Sequence, residues 1–208
     1  MKKNNLEEYR TREEIIQFFK ANGLVYLERT RVKWHPLLSM DLSKRDYYIG
    51  NKEYFEETGQ KYAYLVEKSY VAPVYIKKIG NKVGYGVFAA SELEKDEFIG
   101  EYTGVIQKAE EESGRELNEG GFESDYSWYY LEEIKQAPSL EINGRFESNE
   151  LRYVNHSTRP NIDVEHLLIN GYWILFFKAA RKIKKDEQLL IDYGEAYWED
   201  GWRQLKSL

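Results

Sequence analysis

From Val71 to Tyr193 the apolar residues come in short runs closed off by Gly, Asp or charged clusters, a texture that predicts many short β-strands, arranged in sheets or a barrel. The runs are Val74 to Ile76, Tyr85 to Ala89, Phe98 to Ile106, Tyr126 to Leu131, Leu167 to Ile169, Tyr172 to Phe177 and Gln188 to Tyr193. Two of the later strands are introduced in the same way. Ala90-Ser91-Glu92-Leu93-Glu94-Lys95-Asp96-Glu97 and Ala180-Arg181-Lys182-Ile183-Lys184-Lys185-Asp186-Glu187 share a pattern, each ahead of apolar residues. Asp tolerates a left-handed backbone and makes Asx-turns, so the pattern predicts one turn type used twice.

The N-terminal third reads differently. Thr11-Arg12-Glu13-Glu14 fits a capping box, Ile15, Ile16, Phe18 and Phe19 follow as one apolar stripe, and Asn22-Gly23 is a C-cap pair, which predicts a helix over about residues 11 to 21. Asn51 to Leu65 suggests a second helix, interrupted near Gly59. Residues 1 to 70 are thus a partly helical region of unassigned role, 71 to 198 the main domain, and 199 to 208 a closing segment. Within the domain, about 107 to 125 is an acidic, glycine-interrupted insertion that reads as a solvated loop, or as an acidic lip for a basic peptide.

Composition removes several classes of function. Lys plus Arg is 30 and Asp plus Glu is 36, a net charge of −6, which argues against direct nucleic-acid binding. With no Cys and only His35, His156 and His166 as histidines, thiolate zinc sites, iron–sulfur clusters and His-based metal motifs are excluded, and no metal is expected. No apolar h-region follows Met1-Lys2-Lys3, and no membrane-length apolar stretch occurs. The expected setting is soluble, in cytoplasm or nucleus, with non-Sec secretion into a host left open. Aromatic residues make up 15% of the chain and 18 of them are Tyr, either as β-sheet packing or as phenols gathered at a site.

Four ordered segments point to the second alternative. Arg152-Tyr153-Val154-Asn155-His156-Ser157-Thr158-Arg159-Pro160-Asn161 resembles the R-F-x-N-H-S-C-x-P-N segment of SET-domain protein lysine methyltransferases. Its identities at Arg152, Asn155, His156, Ser157, Pro160 and Asn161 have chance odds of about 1 in 10⁵ or less in a chain of this size. Glu187-Gln188-Leu189-Leu190-Ile191-Asp192-Tyr193-Gly194 is similar to E-E-L-x-x-D-Y-G, Gly84-Tyr85-Gly86-Val87-Phe88-Ala89 to the G-x-G strand, and Glu101-Tyr102-Thr103-Gly104 to E-Y-x-G. The order is the family's, and the likeness spans about Val74 to Trp198.

The resemblance implies a mainly β fold with some α: small curved sheets, with the Asn155-His156 segment and the Tyr193 strand forming a pseudoknot, preceded by the partly helical N-terminal segment. It implies S-adenosylmethionine as cofactor, and transfer of its methyl group to a lysine of a basic protein segment such as a histone tail. Tyr193 and Tyr102 would be catalytic. Tyr102, Ile191, Tyr193 and Trp198 would line the lysine channel. Gly84, Tyr85, Gly86, Tyr126, Arg152, Asn155, His156 and Tyr197 would contact the cofactor, with Trp128 weighed beside Tyr126 and Trp202 beside Trp198.

Departures from the family pattern carry information too. Thr158 stands where many members have the first of four zinc-binding cysteines, and the others are missing as well, so the segment from Tyr193 to Trp202 would close the site without metal, with a homodimer partner as one source of help. Ile191 occupies a position where several members have an aromatic limiting methylation degree, which leaves the number of methyl groups open. A catalytically silent peptide-binding SET module is the alternative; a Rossmann-type methyltransferase lacks its βαβ glycine loop here.

Overall fold

The computed structural model describes residues 7–80, 84–109, 126–131 and 138–194. A two-residue strand, β1 (Glu8–Tyr9), leads into α1 (Arg12–Ala21). The capping box forms as its residues require: the Thr11 hydroxyl accepts from the Glu14 N–H, and the Glu14 carboxylate accepts from the Thr11 N–H. Ile15, Phe18 and Phe19 are buried, but Ile16 is 40% exposed, because a helix turns each residue by about 100° and only the neighbours three and four apart share its face.

Next come β2 (Val25–Tyr26), β3 (Arg31–Val32), 3₁₀ turns at His35–Ser39 and Leu42–Lys44, α2 (Asp46–Gly50) and α3 (Lys52–Glu67). The second helix is therefore not interrupted at Gly59. Phe55, Thr58, Tyr62 and Val66 keep a buried stripe running through that residue, and tertiary packing outweighs the ~1 kcal/mol propensity penalty of one glycine.

The remaining elements are β4 (Val74–Gly80), β5 (Gly84–Ala89), β6 (Phe98–Tyr102), β7 (Val105–Lys108), β8 (Ser127–Tyr129), β9 (Leu140–Asn143), β10 (Glu147–Ser148), β11 (Asn155–His156), β12 (Ile162–Ile169), β13 (Tyr172–Ala179) and β14 (Leu190–Ile191). The apolar run from Phe98 to Ile106 divides into two strands at Thr103-Gly104, and Gln107 and Lys108, expected in the acidic insertion, complete β7. The rest of the insertion lies outside the described residues.

These strands form small sheets, ordered β1-β4-β5, β10-β2, β11-β14, β12-β13-β6 and β3-β7-β9-β8. Three of them take a strand from the N-terminal segment: β1 pairs with β4, β2 with β10 and β3 with β7. The parallel pair β11-β14 aligns Asn155 with Leu190 and His156 with Ile191, which brings the Asn-His-Ser and Asp-Tyr-Gly segments side by side as the pseudoknot requires.

The repeated turn is one structure built twice. Asp96 and Asp186 have φ of 63° and 64°, and Leu93 and Ile183, both fully buried, exchange backbone hydrogen bonds at 2.9 Å. Each turn also closes on the strand that feeds the other, with Asp96 N–H donating to the Ala179 carbonyl and Asp186 N–H to that of Ala89, each at 2.8 Å. The two turns thus clamp β5 and β13 to each other.

The main core joins Leu37, Leu42 and Phe55 of the N-terminal segment to Val87, Ile99, Tyr102, Ile142, Trp173 and Phe177. A second cluster seats Tyr62 and Val66 of α3 on Phe98 and Phe176, and a third seats α1 on Ile76. Each such large apolar side chain contributes about 1.5–3 kcal/mol by leaving water. Among the described residues no helix is long and apolar enough to cross a membrane.

Candidate active site

Every residue of β6 is buried, and Tyr102 at its end is 3% exposed. Its hydroxyl donates to the Tyr126 carbonyl at 2.8 Å, and that carbonyl also accepts from the Gly144 N–H at 2.8 Å. A β-carbon on Gly144 would lie 2.6 Å from the Tyr102 hydroxyl oxygen, so only glycine lets the loop after β9 close over this phenol. Burial pushes the phenol's pKa well above its ordinary value, which keeps its proton in place at any working pH.

Tyr193 approaches from the other side, three residues after β14 begins. Its hydroxyl donates to the Val154 carbonyl at 2.7 Å and its backbone N–H donates to His156 Nδ1 at 3.1 Å. The His156 and Tyr193 rings lie 5.4 Å apart, and Asp192 Oδ1 is 3.6 Å from His156 Nδ1. Parallel pairing of β11 with β14 sets these distances, because it fixes His156 opposite Ile191.

Between the two tyrosines runs a narrow cavity of about 60 Å³, walled by Tyr102, Trp128, Arg152, Phe177, Ile191 and Tyr193, with Ser127, Leu151 and Val154 completing it. Trp128 stands edge-on to Tyr102 at 5.9 Å, and Tyr102 lies 5.9 Å from Phe177. Among the described residues no carboxylate lines this cavity. A primary amine entering it would lose water and meet a guanidinium but no counter-charge from those residues, and both effects favour its neutral form.

Arg152 is buried and its guanidinium is engaged by the chain itself. Nε donates to the Gly144 carbonyl at 3.1 Å, Nη2 to that of Arg145 at 2.8 Å and Nη1 to the Tyr153 hydroxyl at 2.9 Å, while the Tyr126 ring sits 3.8 Å from its central carbon. Its position fits an anchor for the loop that seats Tyr102.

The residues expected to hold the cofactor meet next to this cavity. Gly84 has φ of 76°, and the Asn155 amide donates to the Tyr85 carbonyl at 3.0 Å. A β-carbon on Gly86 would lie 2.6 Å from Ile79 Cδ1, 2.8 Å from Gln188 Nε2 and 3.1 Å from Asn155 Nδ2. Gln188 Nε2 is buried and has no hydrogen-bond partner among the described residues. Two amide donors at a glycine backbone fit the polar, acceptor-bearing groups of S-adenosylmethionine. The Tyr85 side chain turns toward α1 instead, leaving its backbone as the part available on this side.

Tyr102, Arg152, Ile191 and Tyr193 are thus brought to one cavity, with Tyr126 beneath Arg152, His156 against Tyr193, and Asn155 of β11 bonded to the Gly84–Gly86 stretch of β5. Tyr197 and Trp198 lie outside the described residues. Sequence reasoning passed over Ser127, Leu151, Val154 and Phe177. Leu151 lies just ahead of the Asn-His-Ser segment and Val154 at its one unspecified position before Asn155, and Phe177 sits in a run apolar on both faces, where periodicity singles out no residue.

A family model described as SET domain matches residues 84–194. The chain is 33% identical over 115 residues to the histone-lysine N-methyltransferase EZH2 of Chaetomium thermophilum, covering 55% of this chain and 8% of that protein. It is 33% identical over 147 residues to the histone-lysine N-methyltransferase Su(var)3-9 of Drosophila melanogaster, covering 65% of this chain and 22% of that one. The chain therefore spans less than a quarter of the length of either. Among solved structures, ctPRC2 in an autoinhibited conformation bound to S-adenosylmethionine matches with a TM-score of 0.51 and 30% identity, over 62% of this chain and 16% of that one. ATXR5 in complex with mono-methylated histone H3.1 matches with a TM-score of 0.62 over 93% of this chain and 88% of that one; at 17% identity it speaks to the fold alone.

Proposed function

The chain belongs to the SET-domain family, and on that premise we propose that it is a protein-lysine N-methyltransferase that uses S-adenosylmethionine and acts on a lysine in a basic protein segment, a histone tail being the first to test. The observation that carries this reading is the narrow cavity with Tyr102 and Tyr193 in its walls and, among the described residues, no carboxylate in its lining.

When bound, S-adenosylmethionine would supply an electrophilic methyl on its sulfonium, the neutral lysine amine bonding to that carbon in line as the carbon–sulfur bond breaks and the sulfur leaves as a neutral thioether. The chain needs to provide alignment and a neutral amine. Tyr102, Trp128, Phe177, Ile191 and Tyr193 strip water from the amine, whose ordinary pKa of about 10.4 leaves fewer than one molecule in about a thousand neutral at pH 7. The tyrosine hydroxyls are held by the Tyr126 and Val154 carbonyls, so their oxygens keep lone pairs at fixed points beside the reacting atoms. Such positioning is worth up to about 7–11 kcal/mol of the barrier. The Gly84–Gly86 backbone, Asn155 and His156 are assigned to the cofactor, Arg152 to holding the loop over Tyr102, and Tyr197 and Trp198 to the closing segment. The net charge of −6 favours capture of a basic partner through long-range steering.

Incubation with isotope-labelled S-adenosylmethionine and core histones, with products located by mass spectrometry, tests the reading. Label on lysine that disappears in Tyr193→Phe supports it. Cofactor binding with no transfer to any basic protein offered favours the silent peptide-binding module.

A further inference from the structure

One side chain of the N-terminal helix touches both segments assigned above to the cofactor. Phe18, 4% exposed, packs edge-on against Tyr85 at 4.7 Å and lies tilted against Tyr153 at 5.6 Å, and its ring also lies 4.4 Å from Tyr9 and 6.2 Å from Phe19. Tyr85 is the middle residue of Gly84-Tyr85-Gly86, and Tyr153 stands between Arg152 and the Val154-Asn155 pair. The far ends of both phenols are fastened as well: Tyr85 donates to the Glu7 carboxylate at 2.7 Å, and the Tyr153 hydroxyl accepts from Arg152 Nη1 at 2.9 Å.

β4 holds the glycine strand along its length and β14 holds β11, but neither ladder joins one segment to the other. Gly84 and Gly86 present no side chains, and β11 has only two residues. The segments meet directly through the Asn155 amide on the Tyr85 carbonyl and through the Tyr85 and Tyr153 rings, 5.9 Å apart, and the Phe18 ring packs against both of those rings from behind. An aromatic contact of this kind contributes about 0.5–1.5 kcal/mol beyond its area. More to the point, it limits where the glycine backbone and the Asn155 amide sit relative to each other.

We propose that Phe18 is a positioning residue for S-adenosylmethionine, and that β1 and α1 form the back wall of the cofactor pocket, so that anything displacing this helix controls cofactor affinity. The proposal rests on the methyltransferase reading above.

Calorimetric titration of the full chain with S-adenosylmethionine and with S-adenosylhomocysteine, for unmodified protein, Phe18→Ala and Phe18→Leu, decides it. The control is Phe176→Leu, a core change in the cluster under α3 and away from Tyr85. Phe18→Ala is expected to weaken both ligands about tenfold or more, with Phe18→Leu between it and the unmodified protein. KM for S-adenosylmethionine should rise while KM for the protein substrate stays within twofold. Phe176→Leu should lower the melting temperature and leave cofactor affinity unchanged. Should Phe18→Ala not fold, Phe18→Leu carries the comparison. A folded Phe18→Leu with unchanged affinity, or a loss equal to that in Phe176→Leu, overturns the proposal. No cofactor binding by the unmodified chain overturns the methyltransferase reading and this one together.

Discussion

Tyr193 gives its phenolic proton to the carbonyl of Val154, 39 residues earlier in the chain, at 2.7 Å. That bond does two things at once. It fixes the ring against the segment carrying Asn155 and His156, and it commits the hydroxyl hydrogen, so that the oxygen faces the cavity as an acceptor.

Tyr193→Phe removes that oxygen and keeps the ring. The chain should lose on the order of 1 kcal/mol of stability, the net worth of one hydrogen bond. Turnover should fall by about 100-fold or more, within the range seen when one preorganised polar group is removed. Affinity for S-adenosylmethionine should stay within about twofold. Calorimetry beside a single-turnover assay separates these effects, and an equal loss of binding and turnover would mean that Tyr193 serves the fold rather than the reaction.

A cavity with no carboxylate among its described lining residues predicts how rate depends on pH. Activity should climb from pH 7 to 9 as the substrate amine loses its proton, and level off below the ordinary lysine value of about 10.4 because desolvation has lowered it. Tyr102 adds no break in that range, since burial holds its ionisation far above it. A flat profile, with binding and folding checked at each pH, would remove amine deprotonation from the limiting step.

Two glycines should respond in opposite ways to a single methyl group. In α3, a β-carbon on Gly59 meets only Leu167 Cδ1, at an ordinary 3.6 Å, so Gly59→Ala should stabilise the chain by about 0.5–1 kcal/mol through helix propensity. Gly144→Ala places a carbon 2.6 Å from the Tyr102 hydroxyl oxygen and must displace a buried ring in the wall of the candidate site. Thermal melts should rise for the first variant. For the second, activity should drop at least tenfold, well beyond what the melt accounts for.

His166, half-buried on β12, has its pKa pushed down to about 4 by desolvation, with the nearby Glu165 opposing the shift. The folded chain therefore keeps it neutral while the unfolded chain protonates it near pH 6.5. The associated stability, on the order of 2–3 kcal/mol, is fully present above pH 6.5 and is lost as pH falls toward 4. Glu101 and Glu150 act in the opposite sense, because burial raises both and protonation on acidification favours the folded state. Urea melts from pH 7 to pH 4 should show a shallower acid loss for His166→Gln than for the unmodified chain. Identical slopes would place the acid sensitivity elsewhere.

Much of the site was legible because its chemistry is written in contiguous residues. Asn155-His156 and Asp192-Tyr193 are short fixed strings, and the αL turns at Asp96 and Asp186 announce themselves by repetition. The capping box at Thr11 was equally plain, since its partners lie three residues apart. By contrast, β2, β3 and β10 have two residues each, too few for any period, and they exist only because Val25, Arg31 and their neighbours find distant partners. Gly59 misled because propensity is local while the packing of Tyr62 and Val66 is not. Phe18 read as ordinary core, and nothing in the spacing told that its neighbours would be Tyr85 and Tyr153.

The parallel pairing of Asn155-His156 with Leu190-Ile191 also sets a schedule for biosynthesis. A ribosome delivers the glycine strand, the first tyrosine and the Asn-His-Ser segment well before it delivers β14, so β11 waits without its ladder partner. The nascent chain can gather its earlier sheets, but it has no complete pocket until the Asp-Tyr-Gly segment clears the exit tunnel. The cavity is therefore completed late, and a chain terminated before β14 is left with most of the scaffold and without the Ile191 and Tyr193 walls.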